Sequence, residues 1–341
     1  MRFIKSLFAL VLVVAILGGG AAAYGWFWLQ GEVAKPGPAT AATDFVIARG
    51  EGLASVANRL EANGLITDQR VLRIQARLDE TESDIKAGSY IVPPRASILD
   101  ILEQFVEGDV IQFRLTVPEG LTTAQILRRV EADENLTGDM PEREYEEGVL
   151  LPDTYIFGAG TTRTQFIERM EAAQDALLEE LWDQRQDGLP ITTPYEAVIL
   201  ASVVEKETAG ADERPLVAGL FVGRLKKGMR LESDPTIIYG VSKGEPLYNR
   251  QGQRRTLYRS EIDRKTDWNT YQIDGLPKTP ICNPGRDAIA AVLNPPETDY
   301  VFFVADGKGG HLFAKTYAEH QRNVAAYRRF EREEIARERE N

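Results

Sequence analysis

Two glutamates stand at the end of a continuous apolar segment of this chain. Every residue from 197 to 204 is apolar except Ser202, and Glu205, Lys206 and Glu207 follow directly. A helix that is apolar on all sides is buried, so a carboxyl group at its end is partly desolvated. Desolvation raises the pKa of a carboxyl group and favours the protonated form that a general acid requires. The alternative is that these charges only mark where the helix reaches solvent, and helical position does not choose between Glu205 and Glu207.

The residues before this segment predict the helix that positions the two glutamates. Thr193 fits the N-cap, Pro194 the first helical position and Glu196 the return arm of a capping box. We therefore expect a buried helix that begins near Pro194 and presents its carboxyl groups at its C-terminal end. Further along the chain, Asp234 precedes Pro235, a pair typical of a turn. Asp234 is also the best candidate for a second carboxyl group.

Composition and charge exclude several kinds of chemistry. The chain has 341 residues, a length typical of two or three domains, and a net charge of −12. This charge argues against a nucleic-acid partner, because phosphate binding needs a basic surface. Cys282 is the single cysteine, so neither an internal disulfide nor a cysteine-based zinc site can form. The only histidines are His311 and His320, so a metal would have to rest on carboxylates, and we expect neither a metal nor another cofactor.

The amino-terminal residues predict a membrane anchor. Arg2 and Lys5 are basic, and no charged residue follows between Ser6 and Gly31. As a helix, about 25 uncharged residues span roughly 38 Å, more than the bilayer hydrocarbon core of about 30 Å. We expect a cytoplasmic tail and a single transmembrane helix in residues 1–31, in the cytoplasmic (inner) membrane, with the later residues outside the cytoplasm. The alternative is a cleaved signal peptide with its site near residues 21–23.

A weak repeat follows a proline-containing linker predicted at residues 32–43. Ile47, Val92 and Val117 each end a β-prone run, and apolar residues follow nine and thirteen positions later, a helical spacing of four. The pattern predicts strand–turn–helix units within residues 44–158, although coincidental spacing would give the same pattern. The first unit, at residues 45–57, is similar to a LysM-type glycan-binding module. We expect a helix-rich domain with a short sheet at 159–330 and a charged tail at 331–341, so the predicted fold class is α+β.

Several motifs along the chain are similar to those of one family. The segment ILASVVEKET at 199–208 resembles the signature of the endolytic murein transglycosylases, the MltG or YceG-like family. Further matches follow in the family's order: VGRL at 222–225, GMRL at 228–231, SDPT at 233–236, NTY at 269–271, GLP at 275–277, PICNPG at 280–285 and FVADG at 303–307. The segment EGVLLPDTY at 147–155, the predicted anchor and the LysM-like unit also fit the family's layout.

This resemblance implies an activity and a catalytic residue. It implies an enzyme that cuts within nascent peptidoglycan strands, at the bond between N-acetylmuramic acid and N-acetylglucosamine, and thereby terminates strand elongation. The product would carry a 1,6-anhydro-N-acetylmuramyl end. The family's catalytic glutamate maps onto Glu205, and cell-wall polymerases are implied as partners. The alternative class is a non-catalytic glycan-binding scaffold that recruits cell-wall synthases.

Six further residues are candidate contacts to a sugar substrate. Tyr239 and Tyr271 could stack on sugar faces, while Asn269 and Asn283 could hydrogen-bond N-acetyl groups. Packing and turn formation remain open alternatives for these side chains. The full set of candidates is Asp234, Thr236, Tyr239, Asn269, Tyr271 and Asn283. A glycine-rich run at 306–310 lacks the spacing of a phosphate-binding loop and predicts a hairpin turn, and the adjoining His311 is assigned no role in proton transfer.

Overall fold

The computed structural model describes residues 2–208 and 210–340. Met1 of the predicted cytoplasmic tail and Asn341 of the predicted charged tail lie outside the described residues, as does Ala209. The described chain is a mixed α+β structure, as predicted. Its helices are α1 (Arg2–Val33), α2 (Leu53–Ala62), α3 (Gln69–Leu78), α4 (Ile98–Glu107), α5 (Thr123–Glu131), α6 (Arg163–Asp183), α7 (Pro194–Glu207), α8 (Arg214–Lys226), α9 (Asp234–Ser242), α10 (Arg259–Ile262), α11 (Arg286–Leu293) and α12 (Tyr317–Glu340). Its strands are β1 (Thr43–Ile47), β2 (Gly88–Val92), β3 (Gln112–Thr116), β4 (Thr154–Gly158), β5 (Phe302–Ala305) and β6 (His311–Ala314).

The chain divides into two compact units. The first runs to Phe113 and includes Ile156–Gly160, and the second comprises Arg114–Tyr155 and the residues from Thr161 onward. This division differs from the predicted boundary at 158, because α5 belongs with the second unit. The backbone N–H of Thr123, the first residue of α5, donates a hydrogen bond of 2.6 Å to Glu147 Oε1 within that unit.

The first unit contains two of the predicted strand–turn–helix units. β1 and β2 pair antiparallel with Phe45 opposite Tyr90, so these two strand–turn–helix units contribute to one sheet within the first compact unit. The rings of Phe45 and Phe105 stack with their centroids 5.8 Å apart. The predicted helical core positions are all fully buried: Val56, Leu60, Ile101 and Phe105. The sequence analysis did not anticipate α3, which lies between α2 and β2 and begins where the Asp68 side chain accepts a hydrogen bond from the Arg70 N–H.

α1 carries the predicted membrane-spanning segment and continues into the first unit. Residues Leu12–Val33 are long and apolar enough to cross a membrane. Leu29 and Val33, at the end of this helix, are buried in the core of the first unit. The predicted linker also packs there, since the N–H of Gly37 donates to the carbonyl groups of Arg95 and Ala96. A Cβ atom at Gly37 would lie 2.4 Å from the Ala96 oxygen, so this contact requires glycine.

α7 is the central helix of the second unit. Its start is the predicted capping box, in which Thr193 Oγ1 accepts a hydrogen bond of 3.2 Å from the Glu196 N–H and Pro194 is the first helical residue. Residues 197–204 are all buried, which confirms the predicted core helix. α7 packs against α8 and α11. This packing leaves the glutamates that follow residue 204 at the edge of an apolar core.

Two local predictions had different outcomes. The segment at 233–236, interpreted as a turn, instead begins α9, with Ser233 as its N-cap. Pro235 is tolerated in the first turn of α9, where a missing N–H costs no helical hydrogen bond. The glycine-rich run at 306–310 joins the antiparallel strands β5 and β6, so the hairpin prediction is confirmed. The predicted charged tail is the end of α12, which continues to Glu340.

Candidate active site

Glu205 lies in the last turn of α7, and its side chain is only 6% exposed. Its Oε2 accepts a hydrogen bond of 3.0 Å from the backbone N–H of Gly285, the N-cap residue of α11. Burial raises the pKa of Glu205, the Gly285 N–H opposes that rise, and the negative charge of Glu119 adds to it. These effects shift the titration of this carboxyl group toward the protonated form, the form in which a general acid acts.

A second carboxyl group, that of Glu119, shares a guanidinium group with Glu205. Arg214 Nη2 lies 3.5 Å from Glu119 Oε2 and 3.6 Å from Glu205 Oε1. Arg214 Nη1 lies 3.4 Å from Asp287 Oδ2. The Arg214 side chain is 8% exposed, whereas that of Glu119 is 41% exposed. The single buried positive charge of Arg214 thus faces three carboxyl groups. A proton on Glu205 therefore removes one negative charge and reduces the repulsion among these carboxyl groups.

The sequence analysis named neither Glu119 nor Arg214 as a site residue. Glu119 stands between Pro118 and Gly120, directly after a predicted strand, and this position alone is equally typical of a solvent-exposed turn. Arg214 begins α8, where a basic residue has no helix-dipole benefit. This unfavourable position suggests that Arg214 is placed there for a contact with other residues, but it does not indicate which residues.

Gly285 allows Glu119 to approach the start of α11. A Cβ atom on Gly285 would lie 1.7 Å from Glu119 Oε1. The backbone of Gly285 has φ −78°, which any residue adopts, so the requirement for glycine is one of space. A larger residue at this position must therefore displace the flexible end of the Glu119 side chain.

We predict that Gly285→Ala lowers glycan-cleaving activity about tenfold, a loss of about 1.4 kcal/mol of transition-state stabilisation, without unfolding the protein. The added methyl group displaces Glu119, while the backbone N–H that binds Glu205 remains. The measurement is kcat/KM on purified glycan strands, with circular dichroism to monitor folding. The matched control is Gly223→Ala in α8, where a Cβ atom would meet nothing within 4 Å. Equal activities of the two variants would contradict a role for Glu119.

Lys206 fixes the turn that carries Glu119. Its Nζ donates a hydrogen bond of 3.2 Å to the carbonyl oxygen of Gly120. The N–H of Gly120 in turn donates to the carbonyl oxygen of Asn283 at 3.0 Å. The turn is thus held both to α7 and to the segment that precedes α11, which keeps Glu119 beside Arg214.

Asn283, a predicted substrate contact, is fully buried and joins several parts of the second unit. Its Oδ1 accepts a hydrogen bond of 2.9 Å from the Leu150 N–H. Its Nδ2 donates to Thr123 Oγ1 at 3.0 Å and to Glu147 Oε1 at 3.1 Å. Burial raises the pKa of Glu147, and the hydrogen bonds from Thr123 oppose that rise. The geometry gives Asn283 a structural role, since both ends of its amide are occupied.

Asp234 and Tyr271 lie near Glu207 and have no direct bond to Glu205. The Tyr271 hydroxyl group donates a hydrogen bond of 2.9 Å to Asp234 Oδ1. Burial raises the pKa of Glu207 to about 7, and the negative charge of Asp234 contributes to the rise. The charged groups that act on Glu205 are instead Glu119, Arg214 and Lys206. The two glutamates of the ILASVVEKET segment therefore face different neighbours.

We predict that Glu207→Gln raises Tm relative to the wild-type protein, and that this gain is larger at pH 8 than at pH 5. A carboxyl group whose pKa is raised from 4.5 to about 7 on folding contributes stability that is lost as the pH rises through this interval. The loss is about 1–3 kcal/mol at 1.36 kcal/mol per pKa unit, and the amide avoids it. The measurement is Tm in detergent micelles at both pH values. The exposed Glu180→Gln is the control, and a variant at 207 with unchanged pH dependence would contradict the burial of this charge.

The remaining predicted contacts are buried and hydrogen-bonded within the protein. Thr236 Oγ1 donates to the Ser233 carbonyl oxygen at 2.6 Å. The Tyr239 hydroxyl group donates to Glu147 Oε2 at 3.0 Å. Asn269 Nδ2 donates to the carbonyl groups of Ile262 and Arg264 at 3.0 and 2.6 Å. Of the six candidates, only Asp234 and Tyr271 present side chains that are more than marginally exposed.

Two cavities are lined by residues next to Glu205 in the site or in the sequence. One of about 400 Å³ is lined by Glu119, Pro152 and Arg286, among others. The other, of about 260 Å³, is lined by Lys206 together with residues of α9 and the segment that follows it. Glu119, which shares Arg214 with Glu205, thus lines the first cavity, and Lys206, which follows Glu205 in α7, lines the second.

His311 fixes the start of α8 and, through it, Arg214. Its Nδ1 lies 2.7 Å from Glu213 Oε2, and its backbone N–H donates to Glu213 Oε1 at 2.8 Å. Glu213 is the N-cap residue of α8 and precedes Arg214. The contact thus connects the β5–β6 hairpin to the guanidinium of the site. Among the described residues, no group of three or more acidic, histidine or cysteine side chains is arranged to hold a metal ion.

Comparisons with known proteins found named sequence relatives and a solved structure. A relative from Streptococcus pneumoniae, named endolytic murein transglycosylase, is 29% identical over 82% of this chain. The chain spans 57% of the length of that relative. A Bacillus subtilis protein of the same name is 26% identical, with 91% of this chain and 90% of the relative covered. A crystal structure of a yceG-like protein from Listeria monocytogenes is 24% identical, with a TM-score of 0.48, and the match covers 83% of this chain and 99% of that one.

The match to a family model extends beyond the site to most of the sequence. The model of the YceG-like family matches residues 45–326, which include α2 to α11 and all but the first residues of β1. The matched range contains Glu119, Glu205 and Arg214, so the clustered residues all fall within it. On this match the chain belongs to the YceG-like family.

Proposed function

We propose that this protein is a lytic transglycosylase that cleaves within peptidoglycan glycan strands. The observation that carries the proposal is the buried Glu205 carboxyl group, whose raised pKa favours a proton, beside Arg214 and Glu119. The names of the pneumococcal and Bacillus relatives support this activity. The bond cleaved is the β-1,4 link between N-acetylmuramic acid and N-acetylglucosamine in nascent strands, and the cut terminates their elongation.

Glu205 serves as both acid and base in the proposed reaction. Its carboxyl proton passes to the glycosidic oxygen as the bond from that oxygen to C1 of the N-acetylmuramyl residue breaks. The resulting carboxylate then accepts the proton of the C6 hydroxyl group of the same sugar, whose oxygen forms the new bond to C1. The cut gives two fragments. One carries the former glycosidic oxygen as a free hydroxyl group, and the other ends in the 1,6-anhydro sugar. No water is consumed, and Glu205 ends the cycle protonated.

Arg214 and Glu119 tune this proton transfer. When Glu205 is protonated, Arg214 is balanced by Glu119 and Asp287. When Glu205 becomes a carboxylate, the same guanidinium stabilises it at 3.6 Å. Glu119, which is more exposed, offers a negative charge beside the positive charge that develops at C1. We assign Arg214 and Glu119 as positioning residues. We assign the two cavities, one lined by Glu119 and the other by Lys206, as places for sugars of the strand.

The other parts of the chain fit the same function. α1 is the proposed single-pass anchor in the cytoplasmic membrane, with its basic end inside and the two compact units outside. The first unit, with β1, α2, α3 and β2, is the proposed LysM-like glycan-binding module, which would retain the strand during cleavage. Cell-wall polymerases are proposed partners, because the anchor keeps the enzyme at the membrane where strands are made.

Digestion of purified glycan strands by the full-length protein in detergent tests the activity. The expected products have ends that resist borohydride reduction, because a 1,6-anhydro sugar has no free reducing end. Reducible ends would identify a hydrolase, which needs two carboxyl groups flanking the bond. Glu119 or Asp234 would then be the second carboxyl group. Intact strands that nonetheless bind the protein would instead support the scaffold function.

A further inference from the structure

The outer face of α3 combines basic and apolar side chains in one stripe. Its members lie at helical spacings of three and four, and they line one shallow depression: Arg70, Arg73, Ile74, Arg77 and Leu78. We call this set the α3 stripe. Ile74 is 48% exposed and Leu78 50% exposed, whereas Val71, Leu72 and Ala76 on the opposite side are buried. A basic helix face with exposed apolar side chains is typical of a helix that lies on a membrane surface.

The position of α3 brings the stripe near the proposed bilayer. α3 contacts α1, and Leu29 and Val33 of α1 share a core with Leu72 of α3. Tyr24, Trp26, Phe27 and Trp28 are exposed on α1. Trp28, the last of these aromatic residues, precedes Val33 by five residues. At 1.5 Å per residue, about 8 Å of helix separates the level of Trp28 from that of Val33. A helix is about 10 Å wide, so α3 lies within reach of the headgroup layer.

The charge of the stripe complements an anionic surface. The chain as a whole carries a net charge of −12, yet the α3 stripe presents three arginines. Arg70 pairs with Asp68 and Arg77 with Glu82, but both guanidinium groups are more than 70% exposed. Exposed ion pairs of this kind contribute little to stability, so these arginines can pair with another anion at little cost. Arg73 has no ion pair within the described part of the chain.

We propose that the α3 stripe binds the anionic phospholipid headgroups of the membrane that α1 crosses. The arginines contact phosphate groups, and Ile74 and Leu78 enter the layer between headgroups and acyl chains. This surface rests on the proposed membrane anchor and is independent of the proposed catalysis. It would hold the first unit in one orientation on the bilayer.

Lipid contact of the full-length protein in nanodiscs tests this surface. Ile74→Cys is labelled with a fluorophore, and quenching by headgroup spin-labelled lipid is measured in phosphatidylcholine with and without phosphatidylglycerol. Cys282 does not interfere, because it is buried and burial raises its pKa well above the usual range. We expect strong quenching in anionic discs and quenching at least about fivefold weaker in neutral discs. A change in binding of about fivefold is the effect of one basic side chain at an anionic surface.

Two further variants complete the test. A triple substitution of Arg70, Arg73 and Arg77 to Gln should weaken quenching in anionic discs to the level seen in neutral discs. The same change at Arg328, Arg329 and Arg332 of α12, which removes equal charge, should not. Quenching that ignores lipid charge and the α3 arginines would overturn the proposal.

A label at Phe27→Cys separates the stripe from the anchor. Lipid quenching at residue 27 but not at residue 74 would overturn the α3 surface and leave the anchor intact. No quenching at residue 27 would overturn both. A label at 74 that is protected from an aqueous quencher only after glycan strands are added would identify glycan as the occupant and overturn the lipid assignment.

Discussion

Glu205→Gln is expected to lower the rate of glycan cleavage by about 10²–10⁴-fold, the usual contribution of a general acid–base group. The amide has nearly the same size and can still bind through the Gly285 N–H, but it can neither donate nor accept the transferred proton. Because the proposed mechanism uses this carboxyl group in both steps, residual activity should approach background. The measurement is the single-turnover rate constant of cleavage on purified strands with enzyme in excess, which separates cleavage from product release.

Glu207→Gln is the matched control for this loss. It stands two residues away on the same helix, is partly buried, and also has a raised pKa. Its charge is influenced by Asp234, whereas Arg214 and Glu119 act on Glu205. We expect the Glu207 variant to retain most of the activity. Full activity of the Glu205 variant with loss in the Glu207 variant would move the catalytic assignment to Glu207, Asp234 and Tyr271.

Arg214→Met is expected to lower activity about 10²-fold, the scale on which single electrostatic groups stabilise transition states. Methionine fills much of the same space but cannot balance the carboxylate that forms on Glu205. The positive charge of Arg214 lowers the pKa of Glu205, so its removal lets that pKa rise further. The alkaline limb of the kcat/KM profile, which reports the acid of the free enzyme, should therefore move to higher pH.

The same variant should lose stability in a pH-dependent way. Removing one partner of a buried ion pair costs about 3 kcal/mol when the other remains charged. A carboxyl group with a raised folded-state pKa is destabilising above that pKa, so the deficit should be larger at pH 8 than at pH 5. Tm in detergent measures this difference. Arg259→Met, which removes an exposed pair with Asp263, should change stability by less than about 1 kcal/mol, and a similar loss there would contradict the argument.

Helix α7 could be predicted from sequence because its signals are local. The capping box at Thr193 and the apolar run after it specify the start, the burial and the end of α7 within fifteen residues. The repeat spacing predicted the buried positions of α2, α4 and α5 for the same reason. Hydrophobic periodicity is a property of neighbouring residues, so one sequence contains it.

The partners of Glu205 could not be predicted, because they are distant along the chain. Glu119 comes from a turn after β3, Arg214 from the start of α8 and Gly285 from the segment before α11. No local pattern links these residues, and the value of Gly285 lies in the space it leaves for Glu119. The sequence also does not show that the Asn269 amide, a group that suits sugar binding, donates hydrogen bonds to the backbone carbonyl groups of Ile262 and Arg264.

The hydrogen bonds of Asn283 have a consequence for the order of folding. They join residues 133 to 162 positions apart in sequence, at Leu150, Glu147, Thr123 and Leu121. Contacts of such long range form late, because the entropy of closing a long loop is lost before the contact compensates for it. In the proposed topology the amino terminus stays in the cytoplasm and the residues nearest the anchor reach the outside first, so the first core, to Phe105, is complete long before residue 283 arrives. The acid site would therefore assemble last, and substitutions at Asn283 would appear as slow maturation instead of weakened sugar binding.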